Sequence, residues 1–275
     1  MKLLLTKNIM ILLAGVLLLV GCAPEKPVAT TKSLTAVAFT KFPILEYHLI
    51  GRPEGRWQRT PEKFRQDLEW LYDNGYQPFD LRELLAGFSG LKPGKTPVVL
   101  TFDDSSSGQF RYLSNGQLDP DSAVGILKAM NVKHADWPLK ATFFVLIETN
   151  AADHNLFGQP DYAARKLREL IDWGMEVGCH TYSHDRFDLM SSQAARRSLD
   201  RSCQLLAKLT SREVVSLSLP EGIYPQDRSL LDRFRIVAEV AGGWQTYSVK
   251  YEGKPVSVKR IQTIDSEWLK FFRRK

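Results

Sequence analysis

The sequence predicts an α/β domain organised around a parallel sheet or barrel. Three observations carry the prediction. Short apolar runs alternate with amphipathic segments across some 200 residues, the rhythm of repeated strand–helix units. Runs such as 97–102 and 140–147 are nearly continuous in apolar residues, as buried strands are. The composition, 44% hydrophobic and 25% charged over 275 residues, is that of a chain able to bury a sizeable core, and it excludes disordered, collagen-like and low-complexity classes. Lys and Arg total 37 against 31 Asp and Glu, an excess spread without a dense basic run, so no nucleic-acid partner is expected.

The first residues stand apart from this pattern. Lys2 and Lys7 precede a short apolar stretch that closes on Leu19-Val20-Gly21-Cys22. A basic start, an apolar core shorter than the roughly 20 residues of a spanning helix, and small residues before a break describe an export signal. The closing tetrapeptide looks like a bacterial lipobox, in which cleavage before Cys22 leaves its thiol to carry a diacylglycerol. The alternative is an uncleaved N-terminal anchor. Residues 1–21 are read as the lipoprotein signal peptide, 22–40 as a polar tether containing Pro, Thr and Ser, and 41–275 as a single folded domain. The expected location is the bacterial cell envelope, extracytoplasmic and lipid-anchored.

Within the domain, 44–49 is a short apolar strand with His48 inside it. Thr60-Pro61-Glu62 opens a helix, because Thr60 can cap, Pro61 suits the first turn and Glu62 complements the dipole. Phe64, Leu68 and Leu71 recur at helical spacing until Asn74-Gly75 stops them. Asp80 caps a short helix over 81–86. Residues 97–102 form a strand with Asp103-Asp104 at its end. A helix is predicted over 122–130, strands over 140–147 and 175–179, and helices over 161–173 and 192–209 with Ser191 or Ser192 as the cap. A strand over 214–219, a helix over 227–241, a strand over 244–249 and apolar pieces near 256–264 complete the chain. The connection after Asp104 is long, about thirty-five residues, and contains a hairpin around Asn115-Gly116.

Two elements could carry chemistry. His180 and His184 lie four apart directly after a strand, a spacing that can place both imidazoles on one side. Asp103 and Asp104 end an apolar strand, where adjacent carboxylates are costly unless solvated, paired or metal-bound. Sites in parallel α/β folds gather at the C-terminal ends of strands, and both elements have that placement. An Asp with two His suits a divalent metal with positions left open, and the second Asp could take a proton from water. The plainer alternative is that the two aspartates cap the next turn.

These segments carry a resemblance. Thr101-Phe102-Asp103-Asp104, Ala141-Thr142-Phe143-Phe144-Val145 and His180-Thr181-Tyr182-Ser183-His184 resemble, in order, motifs of the polysaccharide deacetylases, carbohydrate esterase family 4. The resemblance spans roughly residues 42–250. It implies a distorted (β/α) barrel of about seven parallel strands in one domain. It further implies Asp104, His180 and His184 as ligands of a divalent metal, usually zinc, and Asp103 as general base. The implied reaction is hydrolysis of N-acetyl groups on an N-acetylglucosamine-type polysaccharide of the cell surface or wall, by a protein expected to be a monomer. A glycan-binding lipoprotein without catalysis and an O-acetyl esterase are the alternatives on the same fold.

The sequence departs from the family pattern at four places. Ser105-Ser106-Ser107-Gly108 follows the Asp pair where Gly is usual. At the third motif, Ser218-Leu219-Pro220-Glu221-Gly222-Ile223-Tyr224 keeps the turn, with the Glu221 N–H as oxyanion donor, but lacks the Arg that orients the base. No histidine follows His184, so the late catalytic His is missing. His48, in a Tyr-His pair that also occurs on the first strand of extracytoplasmic poly-N-acetylglucosamine deacetylases, is then the candidate general acid, against the reading of a core histidine bonded to a carbonyl. The Asn115-Gly116 hairpin is an insertion expected to line the substrate groove. Tyr182 is a candidate sugar contact or a packing residue. Trp244 resembles the family's late aromatic, which walls the acetyl pocket, and is otherwise core. Cys179 is expected to point into the core and Cys203 to sit in an amphipathic helix, both as thiols; a disulfide between them is the alternative in an exported protein.

Overall fold

Eight parallel strands form the centre of the computed structural model, which describes residues 41–247 and 252–272. The signal segment, the tether and Cys22 lie outside the described residues. The strands are β1 (Ile44–Tyr47), β2 (Tyr76–Phe79), β3 (Thr96–Phe102), β4 (Thr142–Val145), β5 (Glu176–Cys179), β6 (Ser216–Ser218), β7 (Ile236–Gly242) and β8 (Val256–Gln262). Seven close into a ring in the order β1, β8, β7, β6, β5, β4, β3, and β3 pairs back with β1. The strand β2 stands outside this ring. It pairs with the first half of β3, Thr96 to Val99, on the edge whose second half pairs with β4 at Thr101 and Phe102. Helices α1 (Pro61–Asp73), α2 (Ala123–Lys133), α3 (Ala163–Asp172), α4 (Ser192–Thr210) and α5 (Asp265–Phe271) surround the barrel. No helix among the described residues is long and apolar enough to cross a membrane.

The caps follow the chemistry of the sequence. Thr60 accepts from the Lys63 N–H at the start of α1, and Ser122 and Ser191 do the same for α2 and α4. Asp80 and Glu83 complete a reciprocal capping box on the short helix Leu81–Ala86.

Strand alternation divides the core in two. On β3, Val98, Leu100 and Phe102 face the helices, with Phe64, Leu68, Leu127 and Leu167 in the same apolar layer. Val99 faces the barrel interior with Ile44, Phe144, Ile236, Ala238 and Val258. A period of two then sends the next residues inward as well. Thr101 and Asp103 follow Val99, Glu46 follows Ile44, and Arg260 follows Val258. The polar upper layer of the barrel is therefore a consequence of strand register. At Gly178 the interior has no room for a side chain, since a Cβ would stand 2.6 Å from both Phe144 and Ser216.

The C-terminal third corrects the sequence reading. The segment expected as one helix over 227–241 is a short turn, Arg228–Leu231, followed by β7. Its apolar residues fit a helical period, but β-branched Ile236, Val237 and Val240 fill the ring position between β6 and β8. The strand expected over 244–249 reduces to Gln245–Thr246, paired antiparallel with Lys41–Phe42, and its end passes out of the described residues. The pieces near 256–264 are a full barrel strand, β8. The Asn115-Gly116 turn is present, with Tyr112 bridged to Leu118 and the Gly116 N–H bonded to the Leu113 carbonyl at 2.8 Å.

Candidate active site

The Asp pair sits where β3 leaves the barrel. The Asp103 N–H bonds to the Tyr47 carbonyl at 2.9 Å and continues the ladder with β1. The chain then reverses through Asp104 and Ser105, at φ +74° and +45°. Five of the nine described non-glycine residues with positive φ belong to this site: Asp104, Ser105, Thr181, His184 and Glu221. Such backbone costs about 1–3 kcal/mol per residue and persists only where the surroundings enforce it. The Ser loop supplies part of that enforcement. Ser105 Oγ donates to the His154 carbonyl at 2.7 Å and accepts the Leu146 N–H at 3.0 Å, and the Ser105 carbonyl accepts the Phe157 N–H at 3.0 Å. Gly108 makes the return possible, because a Cβ there would lie 1.9 Å from the Ile50 carbonyl oxygen.

Asp104, His180 and His184 converge. One ligand atom from each lies within 4.8 Å of the others. Asp104 Oδ1 is 3.3 Å from His180 Nε2 and 3.6 Å from His184 Nε2, and it is buried without a hydrogen-bond partner. His180 Nδ1 lies 2.9 Å from the Ser218 carbonyl, which keeps a proton on Nδ1 and turns Nε2 toward Asp104. An orphaned carboxylate oxygen facing two imidazole nitrogens fits a divalent cation. In the bare triad, burial would lower His180, but the Asp103 and Asp104 carboxylates outweigh it and hold the imidazole up at about 9. Burial and the neighbouring His180 push His184 below its ordinary value.

Asp103 turns the other way, into the barrel. Arg260 on β8 donates to both of its oxygens, Nη1 to Oδ1 and Nη2 to Oδ2, each at 2.8 Å. Ser218 Oγ donates to Asp103 Oδ2 at 2.8 Å. Arg260 also reaches Glu46 Oε1 at 2.8 Å, Thr101 Oγ at 3.2 Å and the Glu239 carbonyl at 2.7 Å. Asp103 therefore has a guanidinium partner. The missing third-motif Arg is made good from the last barrel strand, which corrects the expectation that Asp103 stands without one. Burial opposes ionisation of Asp103, yet Arg260 and His180 hold its carboxyl well below the usual range. Glu46, with one cation shared between two buried carboxyls, is pushed up to about 8 by burial, against the pull of Arg260.

His48 lies on the same floor. A ring nitrogen of His48 and carboxylate oxygens of Glu46 and Asp103 lie within 4.8 Å of one another. Its backbone is held by the buried Gln109 amide, which donates to the His48 carbonyl at 2.7 Å and to the Asp103 carbonyl. Burial lowers the His48 pKa, against the pull of Asp103 and Asp104. Glu221 stands in the turn after β6 with φ +55°, its carboxylate 3.1 Å from Arg186. The Tyr182 hydroxyl is engaged by Glu148 and Arg201 at 3.1 and 3.0 Å. The Trp244 ring packs 5.5 Å from Phe272, next to the end of α5, and no described contact joins it to the triad. Cys179 and Cys203 are buried free thiols.

With the site assembled, comparison with known proteins is direct. The sequence profile of the polysaccharide deacetylases matches residues 90–233, just over half of the chain. The chain belongs to the polysaccharide deacetylase family. The match takes in the Asp pair, both histidines of the triad and the turn at Glu221, while Glu46, His48 and Arg260 lie outside it. No curated protein matches the sequence. Among solved structures, the deacetylase PplD of Streptococcus pyogenes, determined in complex with acetate, is similar at TM-score 0.64 and 22% identity over 85% of this chain and 99% of that one. IcaB from Ammonifex degensii is similar at TM-score 0.56 and 20% identity over 84% and 94%, and the deacetylase domain of BpsB from Bordetella bronchiseptica at 0.55 and 16% over 81% and 96%. At these identities the likeness establishes the barrel.

Sequence reasoning found the triad and Asp103 because they stand in short contiguous motifs. It missed Arg260, Ser218 and Gln109, and gave Glu46 no role. The alternation Val256-Ser257-Val258-Lys259-Arg260-Ile261 was the available signal, since it marks a strand and puts Arg260 on the face of Val258.

Proposed function

We propose that this deacetylase is metal-dependent and hydrolyses N-acetyl groups of an N-acetylglucosamine-type polysaccharide at the cell surface or wall. The observation that carries the reading is Asp103, buried and clamped by Arg260 beside the Asp104–His180–His184 triad. A divalent metal held by Asp104, His180 and His184, in this family usually zinc, would supply Lewis acidity toward the acetyl carbonyl and water. Asp103 accepts the proton that water loses, and Arg260 fixes the orientation of its carboxylate. His48 delivers a proton to the nitrogen as the amide C–N bond breaks. The Glu221 N–H would donate to the developing oxyanion. One water is consumed, and acetate and a free amine result. A purely glycan-binding role would leave the Arg260–Asp103 clamp without a task. We further place the enzyme outside the cytoplasm, anchored through lipid on Cys22, on the strength of the signal-like start of the chain.

The test is metal analysis of the purified full chain together with acetate release from chitin oligomers and peptidoglycan. His180→Ala should lose metal, whereas Asp103→Asn should keep metal and lose about 10²–10⁴-fold in kcat. Bound metal with no acetate from any acetylated glycan would overturn the reading. His48→Ala with metal retained and undiminished activity would remove His48 from the mechanism.

A further inference from the structure

Five large hydrophobic side chains are exposed among the described residues, and Trp57 is the aromatic one. It is 39% exposed and lies in the loop that follows β1. Its ring centroid is 4.7 Å from that of His48. A narrow cleft opens here, lined by Glu46, His48, Arg56, Trp57, Gln262 and Thr263 among others.

The loop that carries Trp57 is held firmly. Leu49–Ile50 pairs with Gln58–Arg59, and the Leu49 N–H bonds to the Trp57 carbonyl at 2.9 Å. Arg59, nearly fully buried, ties the loop to α1 through Asp67 at 2.6 and 2.9 Å, to Glu54 at 2.9 Å and to Asp265 at 2.5 Å. An exposed indole on an anchored loop is a prepared contact surface. The Arg56 guanidinium lies over one face of the indole, 5.1 Å from its centroid, and no described ion pair engages it, so its donors remain available to a ligand.

We propose that Trp57 is a stacking platform for the pyranose neighbouring the one that is deacetylated, so that the substrate is a glycan of at least two sugars. The inference rests on the proposed reaction, which gives it direction. The acetyl group lies toward the triad, and the nitrogen receives its proton from His48, so the sugar bearing that nitrogen is on the His48 side. The chain continues from there over Trp57. A glucosamine-type ring carries its substituents equatorially and offers a flat C–H face that the exposed part of the indole can cover, while Arg56, on the indole, offers donors to ring hydroxyls.

The experiment compares wild type, Trp57→Ala and Trp57→Phe on chitopentaose and on a small aryl acetate, with equilibrium binding of the pentamer measured in parallel. Trp57→Ala should lose at least about tenfold more kcat/KM on the pentamer than on the aryl acetate, mainly through KM, and should weaken pentamer binding similarly. Trp57→Phe should recover most of both. Equal losses on the two substrates would mean that Trp57 acts only by supporting His48 and would overturn the platform, as would unchanged pentamer affinity in Trp57→Ala. Should the wild type release no acetate from any glycan, the proposed reaction fails, and the binding comparison still decides the role of Trp57.

Discussion

Arg260 shows how much one side chain can decide. It is fully buried and carries one positive charge between two buried carboxyls, Asp103 and Glu46. Removing it leaves those groups without their cation, and breaking such a buried pair costs about 3–5 kcal/mol. Arg260→Lys should recover little, because an ammonium cannot bond both Asp103 oxygens in a fixed fork. We expect Arg260→Lys to keep metal, since Arg260 bonds to none of the triad side chains, yet to lower kcat sharply and to reduce the melting temperature. Metal analysis, acetate release and thermal denaturation check the three parts. His180 yields a second prediction. Its raised value, about 9, means that a metal arriving at Nε2 must displace a proton throughout the neutral range. Metal affinity should fall as pH drops below about 9, with about one proton released per metal bound at neutral pH. Calorimetric titration in buffers of different ionisation enthalpy measures that release.

At the scale of an element, the barrel has a second polar layer at the opposite ends of its strands. Glu176, at the start of β5, is buried and accepts from Thr142 Oγ at 2.9 Å, Ser216 Oγ at 2.7 Å and the Arg82 N–H at 3.1 Å. Burial, reinforced by Asp80, raises it to about 7 from an ordinary 4.5. Between those values the folded chain keeps a proton that the unfolded chain has lost. Stability therefore falls as pH rises through that window. Glu46 acts in the same sense, up to about 8. Glu176→Gln keeps hydrogen-bonding capacity without the buried charge, so it should stabilise the protein on the order of 2 kcal/mol at about pH 8 and by almost nothing at about pH 4. Denaturant melts at the two pH values test it. The loop after β3 supports a prediction of its own. Gly108→Ala drives a Cβ into the Ile50 carbonyl, so the loop must move and Asp104 with it. Weaker metal binding and a lower melting temperature should appear together.

For the whole molecule, the export reading is tested at Cys22. Mass spectrometry of the N-terminal peptide should find a diacylglyceryl group on Cys22, and Cys22→Ser should accumulate uncleaved. Within the barrel, the parts of the site that lie close in sequence were the legible ones. Asp103, Asp104, His180 and His184 stand at strand ends, where a run of a few residues defines both the element and the direction of its last side chains. The α/β class follows from the same local alternation of apolar runs and amphipathic segments. The late chain was less legible because the residues of β7 satisfy a helical period and a strand equally well, and only the gap between β6 and β8 selects the strand. The same closure brings Arg260 to Asp103 across 157 positions and leaves Trp57 standing over His48. The sequence by itself determined the class of fold and which aspartate and histidines gather at the strand ends, since both are written in short-range spacing. The tertiary structure alone decided what clamps Asp103 and what borders His48, because those neighbours meet only when the last strand closes on the first.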